Sequence, residues 1–413
     1  MYRTLLSITS TCLLAGNLFA ESRSIDADSL IQFALENHLY LQVAESETEA
    51  ARQQTLQAGT LPDPEVSWGY FLERMDSRQT LSVRQGFPWP GTLSSQRETS
   101  RLRGEAAEAI YELRRLEIAR SVRDAYWQWA FAFEELKLLR RHAALVQPMI
   151  EVVESRVAND RARTSELLRM ELLLDRLEDS IDSQTASIDV AASRLKRAMG
   201  LPVDSPFDLR PGRSLWDEIG KKEVSGELPL GHPLFQSFLY GERAAEEAER
   251  STRYGNRPGW MLGAEWMDNA GPARDEVMVM VSFNLPVWRE RNTAAVAESR
   301  ARTRSARAQR ADAEAEWHDQ WNRSFREYED ARRKVDRFQN RLIPRAEDAL
   351  EAEIEAYRSG RGDLVSLLET QRLLLDLERE ALGARLDLQL TVVSLRYLRG
   401  ETATKSSTPT PSF

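Results

Sequence analysis

Four methionines in the second half of the chain, Met261, Met267, Met278 and Met280, are the residues best placed for chemistry, because thioether sulfur is a soft ligand suited to Cu(I). Methionine is equally a filler of packed gaps, and the sequence leaves both readings open. The other candidates are poorer. His38, His142, His232 and His318 show no close metal-ligand spacing, and there is no Gly-rich phosphate loop or nucleophile elbow. His38 and His232 fall at equivalent places in an internal repeat, which favours packing or capping over ligation. An enzyme is therefore disfavoured and no cofactor is expected. Lys plus Arg number 56 against 65 Asp plus Glu, a formal charge of -9, so nucleic acid is not an expected partner.

The elements that must carry these residues belong to a chain of 413 residues, 42% hydrophobic and 29% charged, with a mean hydropathy of -0.50. That balance excludes a polytopic helical membrane protein and a disordered chain. Arg3, the apolar run from Leu5 to Phe19, and Ala20 predict a secretory signal peptide over residues 1–20, cut before Glu21. The single cysteine, Cys12, lies inside it, so no disulfide is expected in the exported chain. No later stretch approaches the roughly 18 apolar residues of a membrane helix, so any membrane crossing must use strands.

A tandem duplication organises the rest. Asn37-His38-Leu39-Tyr40-Leu41-Gln42 lies on Gly231-His232-Pro233-Leu234-Phe235-Gln236, Pro64 on Pro258, Pro88 on Pro286, and Leu195 and Gly200 on Leu395 and Gly400. The copies occupy residues 21–200, with the repeat itself beginning near 25, and 228–400. Each reads as a helix of about thirty residues, two alternating segments, a very long helical stretch and a final helix. A loop-rich linker, 201–227, separates them, and a Ser/Thr/Pro-rich tail, 401–413, is expected to be disordered.

The alternating segments, 65–73, 79–87, 259–267 and 276–285, predict strands with one apolar face. Val66, Trp68 and Tyr70 alternate with Glu65, Ser67 and Gly69, and Val277, Val279, Val281 and Phe283 form the equivalent face in the last segment. The four methionines fall on the faces opposite the apolar ones. At about nine or ten residues each, the strands suit a tilted crossing of an outer membrane, with Trp89, Trp260, Trp266 and Trp288 as an interfacial girdle. Four strands cannot close a barrel, so copies must associate. The alternative is a small soluble sheet.

The final helices, 165–199 and 363–399, carry strict seven-residue seams: Leu167, Leu174, Ile181, Ile188 and Leu195, then Leu367, Leu374, Ala381, Leu388 and Leu395. Such seams mean left-handed coiled-coil packing. Leu368, Leu375 and Leu382 make a second seam, so that helix has neighbours on two sides. In the long stretches, 92–158 and 289–358, each about 100 Å if wholly helical, Pro148 and Pro344 predict a kink or break. Val122, Tyr126, Trp129, Phe133 and Leu136 form one stripe on the first, and Phe131, Leu138, Leu145 and Val152 another. A periplasmic coiled-coil scaffold would share these helices but not the strands.

The order of these features resembles the TolC family of outer-membrane efflux channels. The residues that carry the resemblance are Leu61-Pro62-Asp63-Pro64, Phe87-Pro88-Trp89-Pro90-Gly91, Asn284-Leu285-Pro286-Val287-Trp288 and Tyr357-Arg358-Ser359-Gly360. It implies a mainly α protomer with a small β part. In a homotrimer the long coiled-coil helices form an α-barrel, and four strands per chain form a 12-stranded outer-membrane β-barrel. It also implies outer-membrane lipid, a periplasmic adaptor and an inner-membrane pump of the RND type as partners, in a Gram-negative bacterium. Pro88, Gly91 and Pro286 would be the strand-to-helix junctions. The run Gln85 to Gly91 resembles the heavy-metal branch of CusC- and CzcC-like channels, although Thr92 stands where a lysine commonly follows the glycine. Heavy-metal cations are then the implied cargo, with drug efflux and type I protein secretion as alternatives. The resemblance further implies a periplasmic gate at Asp363, Ser366 and Glu369, and adaptor-docking tips at Asn159, Asp160, Ser359, Gly360 and Arg361.

Overall fold

The alternating segments form two β-hairpins that join edge to edge. The computed structural model describes residues 26–72, 77–202, 204–205, 211, 231–269 and 275–402; the expected signal peptide, most of the linker and the tail beyond residue 402 lie outside them. In chain order the first copy runs α1 (Ala27–Asn37), α2 (Leu39–Gln57), β1 (Glu65–Tyr70), β2 (Ser77–Phe87), α3 (Thr92–Ala158) and α4 (Thr164–Ala198). The second runs α5 (Pro233–Gly255), β3 (Gly259–Asn269), β4 (Glu276–Asn284), α6 (Arg289–Arg337), a π-helical turn (Phe338–Leu342), α7 (Ile343–Arg358) and α8 (Leu364–Leu398). Two compact units divide the chain, one of residues 42–114 and 231–317, the other of 1–41, 115–230 and 318–413.

The first unit holds the sheet, whose order is β1-β2-β3-β4 with every neighbouring pair antiparallel. β1 and β4 are its edges. The expected strands are shifted by a few residues at their ends: β1 stops at Tyr70, leaving Phe71, the one residue that broke the alternation, outside the ladder. Below the sheet, Thr48 bonds across to Ala107 at 3.4 Å, and the Arg310 guanidinium meets Glu242 at 2.9 Å.

The second unit is built on the coiled-coil seams. Leu367, Leu374, Ala381, Leu388 and Leu395 of α8 are all buried, as are Leu375 and Leu382 of its second seam. On α4 the burial falls mainly on Met170, Leu177, Ile188 and Leu195, while Leu167, Leu174 and Ile181 are half-buried. Of the second stripe expected on α3, Leu138 is buried and Val152 packs against the core, but Leu145 is exposed, and Leu139, His142, Val146, Met149, Ile150 and Val153 complete the buried face. A helix buried on one broad face uses both seven-residue positions of its stripe, so a single seam understates it.

The two prolines behave differently from each other and, in one case, from expectation. Pro148 lies inside the unbroken helix α3. The carbonyl it deprives of a donor belongs to Ala144, an exposed residue that water can satisfy. Pro344 instead follows the π-helical turn, where the Ile343 N–H donates to Phe338 O, five residues back. The widened turn absorbs the proline without ending the helical run.

The expected thirty-residue helix of the first copy is two helices, α1 and α2, separated by extended backbone at His38. His38 Nδ1 accepts the Tyr40 N–H at 3.1 Å, and in the other copy His232 Nδ1 accepts the Leu234 N–H at 3.2 Å. Both imidazoles cap the helix that follows, which accounts for their equivalence without a ligand role.

Candidate functional site

The sheet register sorts the strands into two chemically opposite faces. Val66, Trp68 and Tyr70 lie across from Val83, Leu81 and Gln79, and the row continues through Ala264, Trp266 and Leu262 to Val279, Val277 and Val281. Val277 and Val279 are each 70% exposed and Phe283 68%, so nothing among the described residues covers this apolar face. The other face carries Glu65, Ser67, Thr80, Ser82, Arg84 and Glu265, with Ser67 and Ser82 hydroxyls 2.8 Å apart. All four candidate methionines lie on this polar face: Met261 across from Ser282, Gly263 from Met280, Glu265 from Met278, and Met267 from Glu276.

Pro88 and Gly91 lie between β2 and α3, and Pro286 lies between β4 and α6. After β2, Gly91 has a φ of +93°, and a Cβ there would sit 3.1 Å from the Tyr254 ring, so both conformation and space require glycine. Arg257 lies over Trp89 and Tyr254 beside it. After β4, the Val287 N–H bonds to Leu285 O at 2.9 Å across Pro286, a three-residue turn that suits a proline centre. Phe87 and Trp260, in register, stack at 4.2 Å with 13° between their planes.

In the helical unit, the turns at 159–163 and 359–363 have the same form. Asp160 and Gly360 both take left-handed backbone, φ 55° and 77°, and the N–H of Arg161 and of Arg361 closes back on the carbonyl five residues earlier, at 2.8 and 2.9 Å. Asn159, Asp160, Ser359, Gly360 and Arg361 are all exposed. The Asn159 side chain donates to Ser155 O, and Arg361 Nε donates to the Ser359 hydroxyl. Asp363 caps α8, accepting the N–H groups of Val365 and Ser366 at 2.8 and 3.0 Å and the Ser366 hydroxyl at 3.1 Å. Those bonds, led by Ser366, hold its carboxyl below the usual range. Glu369 points outward and makes no ion pair among the described residues; Arg372, its alternative partner, meets Asp376 instead, at 4.0 Å.

Two polar assemblies in this unit were not anticipated. Near the turns, Tyr357 of α7 donates its hydroxyl to Glu166 of α4 at 3.0 Å, while Arg156 of α3 lies over the Tyr357 ring and bonds to its carbonyl. Burial, then the Glu166 carboxylate, pushes the Tyr357 hydroxyl up to about 12. Deeper in, the fully buried His142 of α3 sits 2.5 Å from Glu378 of α8, and Gln371 Nε2 is 3.2 Å from His142 Nδ1. Arg141 closes on the other Glu378 oxygen. Gln371, Glu378 and Arg385 recur every seven residues between the apolar seams, the one signal in the sequence that could have revealed them. Glu378 and Arg385 also border a cavity of about 390 Å3, with Glu134, Lys137, Arg141 and Glu347 on its walls.

Among the described residues no group of three or more His, Cys, Asp or Glu side chains is placed to hold a metal ion, and no helix is long and apolar enough to cross a membrane. What the described residues offer is a surface: a sheet with one apolar face, one polar face and two unpaired edges.

That architecture is shared with solved outer-membrane channels. The crystal structure of the outer membrane protein VceC from Vibrio cholerae superposes with a TM-score of 0.78 at 17% identity, covering 91% of this chain and 96% of that one. CusC, described as forming a transmembrane channel, gives 0.78 at 16% identity over 93% of each chain. The open-state MtrE channel of Neisseria gonorrhoeae gives 0.75 at 19% identity, over 94% and 95%. Among curated protein sequences there is no significant match. The chain thus has the fold of a TolC-like channel protomer. Residues 30–201, the greater part of the first repeat, match the profile of the outer membrane efflux protein family.

Proposed function

We propose that the chain is one protomer of an outer-membrane efflux channel, a passive conduit from the periplasm or an inner-membrane pump to the exterior. The observation that carries this is the sheet: a continuous exposed apolar face backed by a polar one, ending in two open edges. In hydrocarbon each unpaired edge N–H or C=O costs several kcal/mol, so edges must be closed by further copies. Three copies close twelve strands into a barrel, with the apolar face toward lipid and the polar face toward the lumen. Exposed Leu168, Leu172 and Val190 on α4 fit further contacts between copies. A scaffold or soluble sheet leaves that apolar face unexplained.

The purified protein is therefore expected as a stable trimer in detergent that stays with outer membranes through a high-salt wash. A monodisperse monomer that keeps its strand signal in circular dichroism would overturn the reading.

The exposed turns at 159–163 and 359–363 supply rigid, solvent-facing tips for a periplasmic adaptor, which would link the channel to a pump of the RND type. Near the second turn, three symmetry-related copies of Glu369 would gather negative charge about the axis, as carboxylate rings do in other cation-selective pores. Its exposure and its lack of an ion partner among the described residues favour this role; Ser366 and Asp363 serve the α8 cap beside it. Single-channel recordings of Glu369→Gln are expected to show weakened cation selectivity and weakened block by divalent ions. Unchanged selectivity and block would reject Glu369 as a gate residue. Heavy-metal cations are the favoured cargo, since a cation-selective constriction and a methionine-bearing sheet face suit them better than an organic drug or a secreted polypeptide.

A further inference from the structure

We propose that Met261, Met267, Met278 and Met280 form a thioether ladder that binds a soft monovalent cation of the Cu(I) class in transit; the lumenal placement of the ladder rests on the channel reading above. Directly opposite positions on β3 and β4 never pair two methionines. Instead Met261 and Met280 are diagonal neighbours, Met267 and Met278 likewise, and Met278 and Met280 follow each other on one face of β4. Diagonal neighbours on an antiparallel pair are roughly 7–8 Å apart at the backbone, a gap that two long flexible side chains can close around one ion. The four positions thus make a continuous zigzag along the hairpin.

Packing does not account for them. The chain's other described methionines, Met149, Met170 and Met199, are 9%, 0% and 0% exposed, as gap-fillers should be. Met278 is 40% exposed and the other three ladder residues are half-buried, on a face otherwise composed of Ser, Thr, Asn, Gly, Glu and Arg. Room is left beside Met261, since a Cβ on Gly86 across from it would meet nothing within 4 Å, whereas Gly263, across from Met280, is packed against Arg84, whose Cγ a Cβ would meet at 3.2 Å. The charge balance also suits a cation. Glu265 lies across from Met278 and Glu276 from Met267, while the positive Arg84 sits between Glu65 of β1 and Gly263 of β3, so carboxylates outnumber cations around the ladder. Thioethers select soft ions, carboxylates add attraction, and the absence of thiolate or imidazole keeps each contact weak enough for release.

The test uses the full-length channel in detergent, with Ag(I) as a redox-stable probe of the Cu(I) class and Mg(II) as a hard-cation control. Equilibrium dialysis with elemental analysis should show Ag(I) retained by the wild type, with sulfur in its coordination sphere by X-ray absorption, and Mg(II) not retained. Replacing all four residues, Met261→Leu, Met267→Leu, Met278→Leu and Met280→Leu, should weaken Ag(I) retention at least about tenfold, the scale on which lost metal partners are felt. The paired variant Met267→Leu/Met278→Leu, which alters half the ladder, should show an intermediate loss and guards against misassembly of the fourfold one. Equal Ag(I) retention by the wild type and both variants overturns the ladder even if trimers and conductance are intact. Ladder-dependent Ag(I) binding by a protein that neither trimerises nor conducts would support the ladder while sinking the channel reading.

Discussion

Arginine at position 279 is expected to abolish assembly in the outer membrane, while arginine at position 282, three residues along the same strand, is tolerated. Val279 lies near the middle of β4 on the apolar face, 70% exposed and across from Ala264. If that face meets hydrocarbon, Val279→Arg costs about 2–4 kcal/mol per chain near the bilayer midplane, and a trimer incurs the cost three times. Ser282 lies on the polar face, across from Met261, where water can solvate a guanidinium. Yield of heat-resistant trimer in outer-membrane fractions measures both variants. Were the sheet soluble, Val279→Arg would replace an exposed apolar side chain by a charged one at little cost. Normal yield of Val279→Arg therefore contradicts the lipid-facing assignment.

What the sequence discloses here follows from the range of the interactions involved. Sheet faces are set by alternation within nine or ten residues, so the placement of Val66, Val279 and the four methionines could be read before any register was known. Repeat alignment was equally informative: it paired His38 with His232, and both prove to be helix caps with the same Nδ1 geometry. It also pairs Asp160 with Gly360, and a glycine in one copy marks the left-handed backbone that an aspartate must adopt in the other. The ends of β1 and the outcome at Pro148 were less accessible. Whether a proline breaks a helix depends on whether the orphaned carbonyl meets water, which is a property of the neighbours in space.

The Tyr357–Glu166–Arg156 contacts and the His142–Glu378 assembly are harder still, because each joins helices nearly two hundred residues or more apart in sequence. A buried Gln or Glu on α8 looks from sequence like a solvated coiled-coil position. Only the coincidence that Gln371, Glu378 and Arg385 share a seven-residue interval with the flanking leucines hints that they face inward. Polar residues at such core positions commonly fix register at some cost in stability.

That role sets the last expectation. Glu378→Leu should destabilise the helical unit by about 3 kcal/mol, the lower part of the range for breaking a buried pair, because Arg141 is more than half exposed and can turn to solvent while His142 cannot. His142 would keep a ring nitrogen without its carboxylate partner, in a site where Gln371 Oε1 already has no hydrogen bond. The double variant His142→Leu/Glu378→Leu removes both polar groups and should recover much of the loss, as replacement of a whole buried pair by apolar residues generally does. Acid adds an independent check. Burial alone would raise the Glu378 carboxyl, but the bond to His142 and the charge of Arg141 outweigh it, and its folded-state value lies below the ordinary 4.5. A carboxyl lowered on folding contributes stability that is complete above its unfolded value and lost as pH falls through the folded one. Wild-type denaturation midpoints should therefore drop on acidification below about pH 4.5, and Glu378→Gln, which keeps an acceptor for His142 but cannot ionise, should flatten that part of the curve. If the double variant is no more stable than Glu378→Leu, or if Glu378→Gln shows the wild-type acid limb, the assembly does not hold the helices in the way its geometry indicates.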